Sequence, residues 1–182
     1  MNKEEKNIYL TFDDGPIQGL TDWVLDELKK YNIKATFFCV GANIIRNPKV
    51  FDRVKIEGHR VGNHTMFHTK GFKTTVGDYI REVEECKRLV ENNLFRPPYG
   101  QLRLGQYKAL VERGYDVILW DVISYDFEHI SPLKCTENVL KNTRNGSIVL
   151  FHDNVKAETN MKYALPIFLE NFLQKGYSFK TL

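Results

Sequence analysis

The sequence predicts an α/β fold in which about seven parallel strands close, or nearly close, into a barrel. Three observations carry that expectation. Seven apolar, β-prone segments alternate with six stretches of helical spacing, an order that calls for parallel strands joined by crossover helices. Gly58, Gly114 and Gly176 stand just after helical stretches, where a left-handed residue stops a helix. Polar residues end five of the β segments: Asp13/Asp14, His64, Arg96, Asp121 and His152. An open doubly wound sheet concentrates its site near one switch point, whereas a barrel collects side chains from many strands at one rim.

The elements follow in order along the chain. The first strand is Ile8–Phe12, and Thr21 caps a helix whose apolar Trp23, Val24, Leu28 and Tyr31 recur at three and four residues. After the strand Ala35–Val40, Pro48 opens a helix with Val50, Phe51 and Val54 on one side, ended by Gly58. After Arg60–Gly62, Thr75 caps a third helix through Tyr79, Ile80, Val83, Leu89 and Val90. Strands at Leu94–Arg96, Asp116–Trp120, Ile148–Phe151 and Tyr177–Lys180 enclose helices near Leu104–Arg113, Pro132–Asn142 and Met161–Lys175.

At 182 residues the chain suits one domain, 1–182, large enough to bury a core without disulfides or structural metals. No linker, repeat or low-complexity tract divides it. Its 26 basic and 23 acidic residues are interspersed, and a net charge of +3 gives no argument for nucleic acid. Cys39, Cys86 and Cys135 are widely spaced without a CxxC pair. That argues against a disulfide framework and a cysteine zinc site, so each is expected to pack as a small apolar residue. No stretch approaches the length of a membrane helix, and the polar start MNKEEKN has no signal-peptide core. The chain as given therefore reads as soluble, and an envelope or extracellular location would require that a leader had been removed.

TFDDGP, residues 11–16, ends the first strand in two adjacent carboxylates. Alone it reads as a turn with two solvated acids. At the end of a buried-type strand, Asp13 and Asp14 need a counter-charge, which a dication supplies. His64-Thr-Met-Phe-His68 places two histidines four apart, a spacing that closes on one ion from a helical turn or tight loop. By themselves they read as two unrelated surface histidines. With a strand-end carboxylate they form a two-His, one-carboxylate set with open positions, suited to hydrolytic zinc or another divalent ion. The second carboxylate can then stay ionised and take a proton from water. Adjacent strand residues face opposite sides, so the backbone must leave strand geometry for both to reach one ion.

Arg96-Pro-Pro-Tyr99-Gly100 is a stiff loop presenting an arginine. A planar guanidinium can hold one Asp of the pair in a two-pronged contact, although the fragment alone also fits a solvated loop arginine. His152 ends a strongly apolar strand. It reads either as a capped structural histidine or as a proton donor to a leaving group. His59 and His129 lack such a setting and read as structural or exposed.

In this order the fragments resemble the polysaccharide deacetylase family, the NodB-homology domain of carbohydrate esterase family four, from Thr11 to about His152. TFDDGP resembles the first family motif, HTMFH the second, RPPYG the third and Leu150-Phe151-His152 the fifth. The resemblance implies a distorted (β/α) barrel and metal-dependent removal of N- or O-acetyl groups from a carbohydrate. N-acetylglucosamine units of peptidoglycan or chitin-type oligomers are the first expectation. It implies Asp14, His64 and His68 as ligands of one divalent ion, zinc first, with cobalt, nickel and manganese as alternatives. It implies Asp13 as general base, Arg96 as its holder, His152 as general acid and Asp126 as the residue tuning His152. On the substrate side it implies Tyr99 through its backbone N–H, Leu150 at the acetyl methyl, and Phe127 and Trp120 around the pocket.

The fourth motif departs. Where the family reads Asp, Ser/Thr, any residue, Asp, Trp, this chain reads Ile123-Ser124-Tyr125-Asp126-Phe127. Asp126 is kept, while a phenyl ring replaces an indole and loses its N–H. Two other readings stand beside the deacetylase: a non-enzymatic carbohydrate-binding module on the same barrel, and a metal-dependent amidase acting on another C–N bond. A module would be expected to lose Asp13, a ligand or His152, and all are present. The expected partner is an acetylated oligo- or polysaccharide held in an open groove, with the protein as a monomer.

Overall fold

The computed structural model describes residues 5–182, so the first four residues of the polar start lie outside it. The order is β1 (Asn7–Asp13), α1 (Leu20–Lys30), β2 (Thr36–Cys39), α2 (Gly41–Arg46), α3 (Pro48–Ile56), β3 (Arg60–Asn63), α4 (Val76–Val90) and β4 (Leu94–Phe95). It continues with α5 (Leu104–Glu112), β5 (Asp116–Val117), β6 (Val122–Ile123), α6 (Pro132–Asn142), β7 (Ile148–His152), α7 (Glu158–Gln174) and β8 (Ser178–Lys180). Every strand pairing described is parallel, in the order β5-β4-β3-β2-β1-β7-β6. The strand β8 lies beside the start of β1, pairing Asn7 with Ser178 and Tyr9 with Lys180.

Two ends of this path, β5 and β6, are not paired with each other among the described residues. The chain between them, residues 118–121, crosses the gap. The barrel is therefore curled and open at one seam, the distortion that the family resemblance implied. All strands run the same way, so their C-terminal ends share one rim, and Asp13, Asn63, Phe95, Ile123 and His152 end there.

The core explains the strands. In β2 every residue is buried, and in β1 only Asn7 and Tyr9 are partly open, as expected where helices cover the outer face of a barrel and side chains fill its interior. The Phe12 ring stacks on Phe37 at 5.0 Å, and Phe151 of β7 meets Phe168 of α7 at 5.7 Å. Each such buried ring contributes roughly 1.5–3 kcal/mol. Cys39, Cys86 and Cys135 are all buried and free, as the spacing predicted. No described helix is long and apolar enough to cross a membrane.

Local signals set most helix starts. Pro48 opens α3, Thr75 Oγ1 accepts from Asp78 N at 3.2 Å at the head of α4, and α6 starts at Pro132. Two expectations are corrected, and one helix is additional. Thr21 does not cap α1 but sits in its first turn, where its hydroxyl accepts from Ile17 N and donates to Asp153 Oδ2. The segment Asp116–Trp120 is a strand only over its first two residues, and a separate strand follows at Val122–Ile123. The helix α2 was not anticipated, because six residues are too few to show a period.

Candidate active site

The rim gathers Asp13, Asp14, His64, His68, Tyr99, Trp120, Ile123, Phe127, Leu150 and His152 around one cleft of about 480 Å³. Asp13 is the last residue of β1, and Asp14 leaves strand geometry with φ +85°. That break lets neighbouring carboxylates face one point, as the sequence required. Thr65, His68, Tyr99 and Tyr125 also take positive φ near 60°. Left-handed non-glycine residues carry a conformational cost and gather at sites that the surrounding structure over-determines.

Arg96 fixes Asp13. Its side chain is fully buried, and Nη1 donates to Asp13 Oδ1 at 2.9 Å and to Thr11 Oγ1 at 2.7 Å. The other guanidinium donors reach Ile118 O at 3.3 Å and Leu119 O at 3.1 Å, on the segment crossing the seam. Asp13 Oδ2 is left facing the cleft, 3.7 Å from His64 Nε2. Burial pulls the Arg96 guanidinium below its ordinary value, against the opposing pull of Asp13.

Asp14, His64 and His68 offer ligand atoms that all lie within 4.8 Å of one another. His64 Nδ1 is 2.8 Å from Arg96 O; a carbonyl only accepts, so Nδ1 carries the proton and Nε2 keeps a lone pair. Asp14 Oδ1 lies 3.0 Å from His68 Nε2 and 3.5 Å from His64 Nε2 without hydrogen-bond geometry. It is buried with no hydrogen-bond partner among the described residues. A buried, unpartnered carboxylate oxygen between two imidazole nitrogens fits a divalent cation.

The histidine loop is tight rather than helical. Asn63 Oδ1 accepts from Thr65 N, Thr65 Oγ1 accepts from Thr69 N, and Glu82 Oε2 on α4 accepts from Phe67 N and Thr69 Oγ1. Across the cleft, His152 Nδ1 lies 2.8 Å from Asp126 Oδ1, and His152 N donates to Asp126 Oδ2 at 2.8 Å. Burial lowers His152, but the charge and hydrogen bond of Asp126 prevail and carry it up to about 9.

Phe127 packs edge-on to His152 at 4.8 Å, and with Ile123 and Leu150 it forms an apolar wall. Trp120 lies in the crossing segment and covers Gly100, where a Cβ would stand 3.0 Å from its ring. That contact and a φ of +65° both call for glycine there.

Asp121, expected at the rim, is elsewhere. It precedes β6, and its carboxylate accepts from Ile148 N and Ser147 Oγ at the opposite end of β7. His59 is buried and structural, its Nδ1 accepting from Ala35 N, and burial lowers it to about 4. His129 is exposed. Sequence reasoning missed Thr11, Glu82, Asp153 and Asn154. Asp153 and Asn154 directly follow His152, and polar residues just past a rim strand were the available signal.

A sequence model of the family described as polysaccharide deacetylase matches residues 1–118. A peptidoglycan-N-acetylglucosamine deacetylase of Bacillus cereus is 35% identical over 185 residues, covering 98% of this chain and 87% of the relative. A crystal structure of a peptidoglycan N-acetylglucosamine deacetylase bearing an N-oxidanyl-benzamide superposes with a TM-score of 0.93 at 32% identity, covering 98% of this chain and 87% of that one. A family 4 carbohydrate esterase from Streptomyces lividans, in complex with acetate, gives 0.87 at 26% identity, covering 97% and 92%.

Proposed function

This chain belongs to the polysaccharide deacetylase family, and from that membership we propose that it removes the acetyl group from N-acetylglucosamine units of peptidoglycan or a chitin-type oligomer. Proteins of this family are metal-dependent hydrolases. One observation carries the reading. A single cleft joins a two-His, one-Asp set, a carboxylate gripped by a buried arginine, and an imidazole gripped by a buried carboxylate.

Asp14, His64 and His68 would hold the ion, zinc by preference, and when bound it supplies Lewis acidity toward water and an acyl oxygen. The protein's own groups do the rest. Asp13 accepts the proton of the attacking water at Oδ2, while Arg96 holds Oδ1 and fixes the carboxylate plane. The backbone N–H of Tyr99 donates to the acyl oxygen as it gains charge. His152, protonated and oriented through Nδ1 by Asp126, gives its Nε2 proton to the departing nitrogen. Leu150, Ile123 and Phe127 give the acetyl methyl an apolar seat and keep water from it.

The test is acetate release from purified peptidoglycan, acetylated chito-oligosaccharides and acetylated xylan, with metal added back to chelated protein. Release from one of the first two that needs the metal is expected. Glycan binding without acetate release from any of them would instead identify a binding module.

A further inference from the structure

Besides its imidazole neighbours and the bond from its own N–H to Phe38 O at 3.2 Å, Asp14 is held at three points. Asn43 Nδ2 donates to its backbone O at 2.7 Å, and Asp153 Oδ1 accepts from the next amide, Gly15 N, at 2.9 Å. These two bonds set the backbone on either side of the carboxylate. They do not set its plane, because the terminal torsion of an Asp is broad and two-fold. The third bond does: Asn154 Nδ2 donates to Asp14 Oδ2 at 2.5 Å. The other oxygen, Oδ1, is buried, has no hydrogen-bond partner among the described residues, and lies between His64 Nε2 and His68 Nε2.

We propose that Asn154 is a metal-positioning residue, which engages Asp14 Oδ2 so that only Oδ1 is offered to the ion. The inference rests on Asp14, His64 and His68 holding a divalent cation. A carboxylate free to turn can offer both oxygens and fill a position that water or substrate needs; one whose second oxygen is engaged offers a single atom. Partners of metal ligands typically change affinity by about 10–100-fold when removed. Asn154 also has a structural role, since its Oδ1 accepts from Ala157 N at the head of α7 at 3.0 Å. The test must separate the two.

Zinc affinity is measured by competition with a chelating dye, the cobalt-loaded protein by visible absorption, and the metal-free protein by thermal unfolding. Asn154→Ala is expected to bind zinc about 10-fold more weakly and to alter the cobalt spectrum. Asn154→Asp keeps the acceptor for Ala157 N and replaces the donor with a charge that repels Asp14 Oδ2, so its cobalt band should move although the head of α7 keeps its cap. If Asn154→Ala lowers only the metal-free unfolding temperature, with zinc affinity and cobalt spectrum unchanged, Asn154 is a helix cap and the proposal fails. An unchanged cobalt band in Asn154→Asp overturns it equally. A wild-type protein that takes up neither ion refutes the metal site itself, and this inference with it.

Discussion

Arg96 and Asp13, 83 residues apart, form a fully buried ion pair at 2.9 Å. The same guanidinium binds Thr11 on β1 and the carbonyls of Ile118 and Leu119. One side chain thus holds the proposed base and bridges the only open seam in the barrel among the described residues. Because it is the sole cation beside Asp13 described at hydrogen-bond distance, removing it strands a buried carboxylate.

Arg96→Gln should therefore lose stability as well as activity. Breaking a buried pair from one side costs about 3–5 kcal/mol. Denaturant unfolding should show a lower midpoint, and a midpoint equal to wild type would mean that the pair contributes nothing to the fold.

Asp13→Asn should lower turnover by at least about 10²-fold while leaving zinc content close to wild type. The amide keeps an oxygen for Arg96 but cannot take the water's proton. Acetate release and elemental analysis on one sample decide it; retained activity rules out Asp13 as the base.

His64→Ala should lose bound metal, because its Nε2 is preset as a lone-pair donor by the Nδ1 contact to Arg96 O. Chelation of the wild-type protein should abolish acetate release, and divalent metal should restore it. Normal metal content in the variant would contradict the ligand set.

The pH profile should reveal the His152–Asp126 pair. His152 is raised to about 9, so its acid form, and the stability the ion pair contributes, are fully present below about 6.5 and are lost as pH rises through about 9. Asp126→Asn removes the charge and leaves burial, which lowers an imidazole. The alkaline limb of kcat should then move down by about two units or more. An unmoved limb would show that another group sets it.

Gly15→Ala should disturb the Asp14 turn. A Cβ there would stand 2.0 Å from Asp153 Oδ2, which is buried and bonded to Thr21. Overpacking of this kind costs about 1–3 kcal/mol, and zinc affinity should fall with it. Calorimetry and dye competition together check both effects.

Periodicity, proline and glycine positions and cap residues marked most of the helices and strands, because those signals act within a few residues. The order TFDDGP, HTMFH, RPPYG and LFH carried the family resemblance, and the residue types carried the chemistry. Short elements escaped: α2 and β6 are too brief to show a period, and Asp121 looked like a rim residue because the chain bends where a strand seemed to continue. The resemblance paired Arg96 with Asp13 and Asp126 with His152, as the structure does, but the remaining side-chain partners were not legible. Asn154 reaches Asp14 across 140 residues, and Thr21 reaches Asp153 across 132. Such contacts depend on β1 lying between β2 and β7. Strand order comes from how whole sheets and helices pack, not from any local stretch of chain. Local sequence therefore decided which groups exist at the rim, and the tertiary structure decided which atom of each is left free to act.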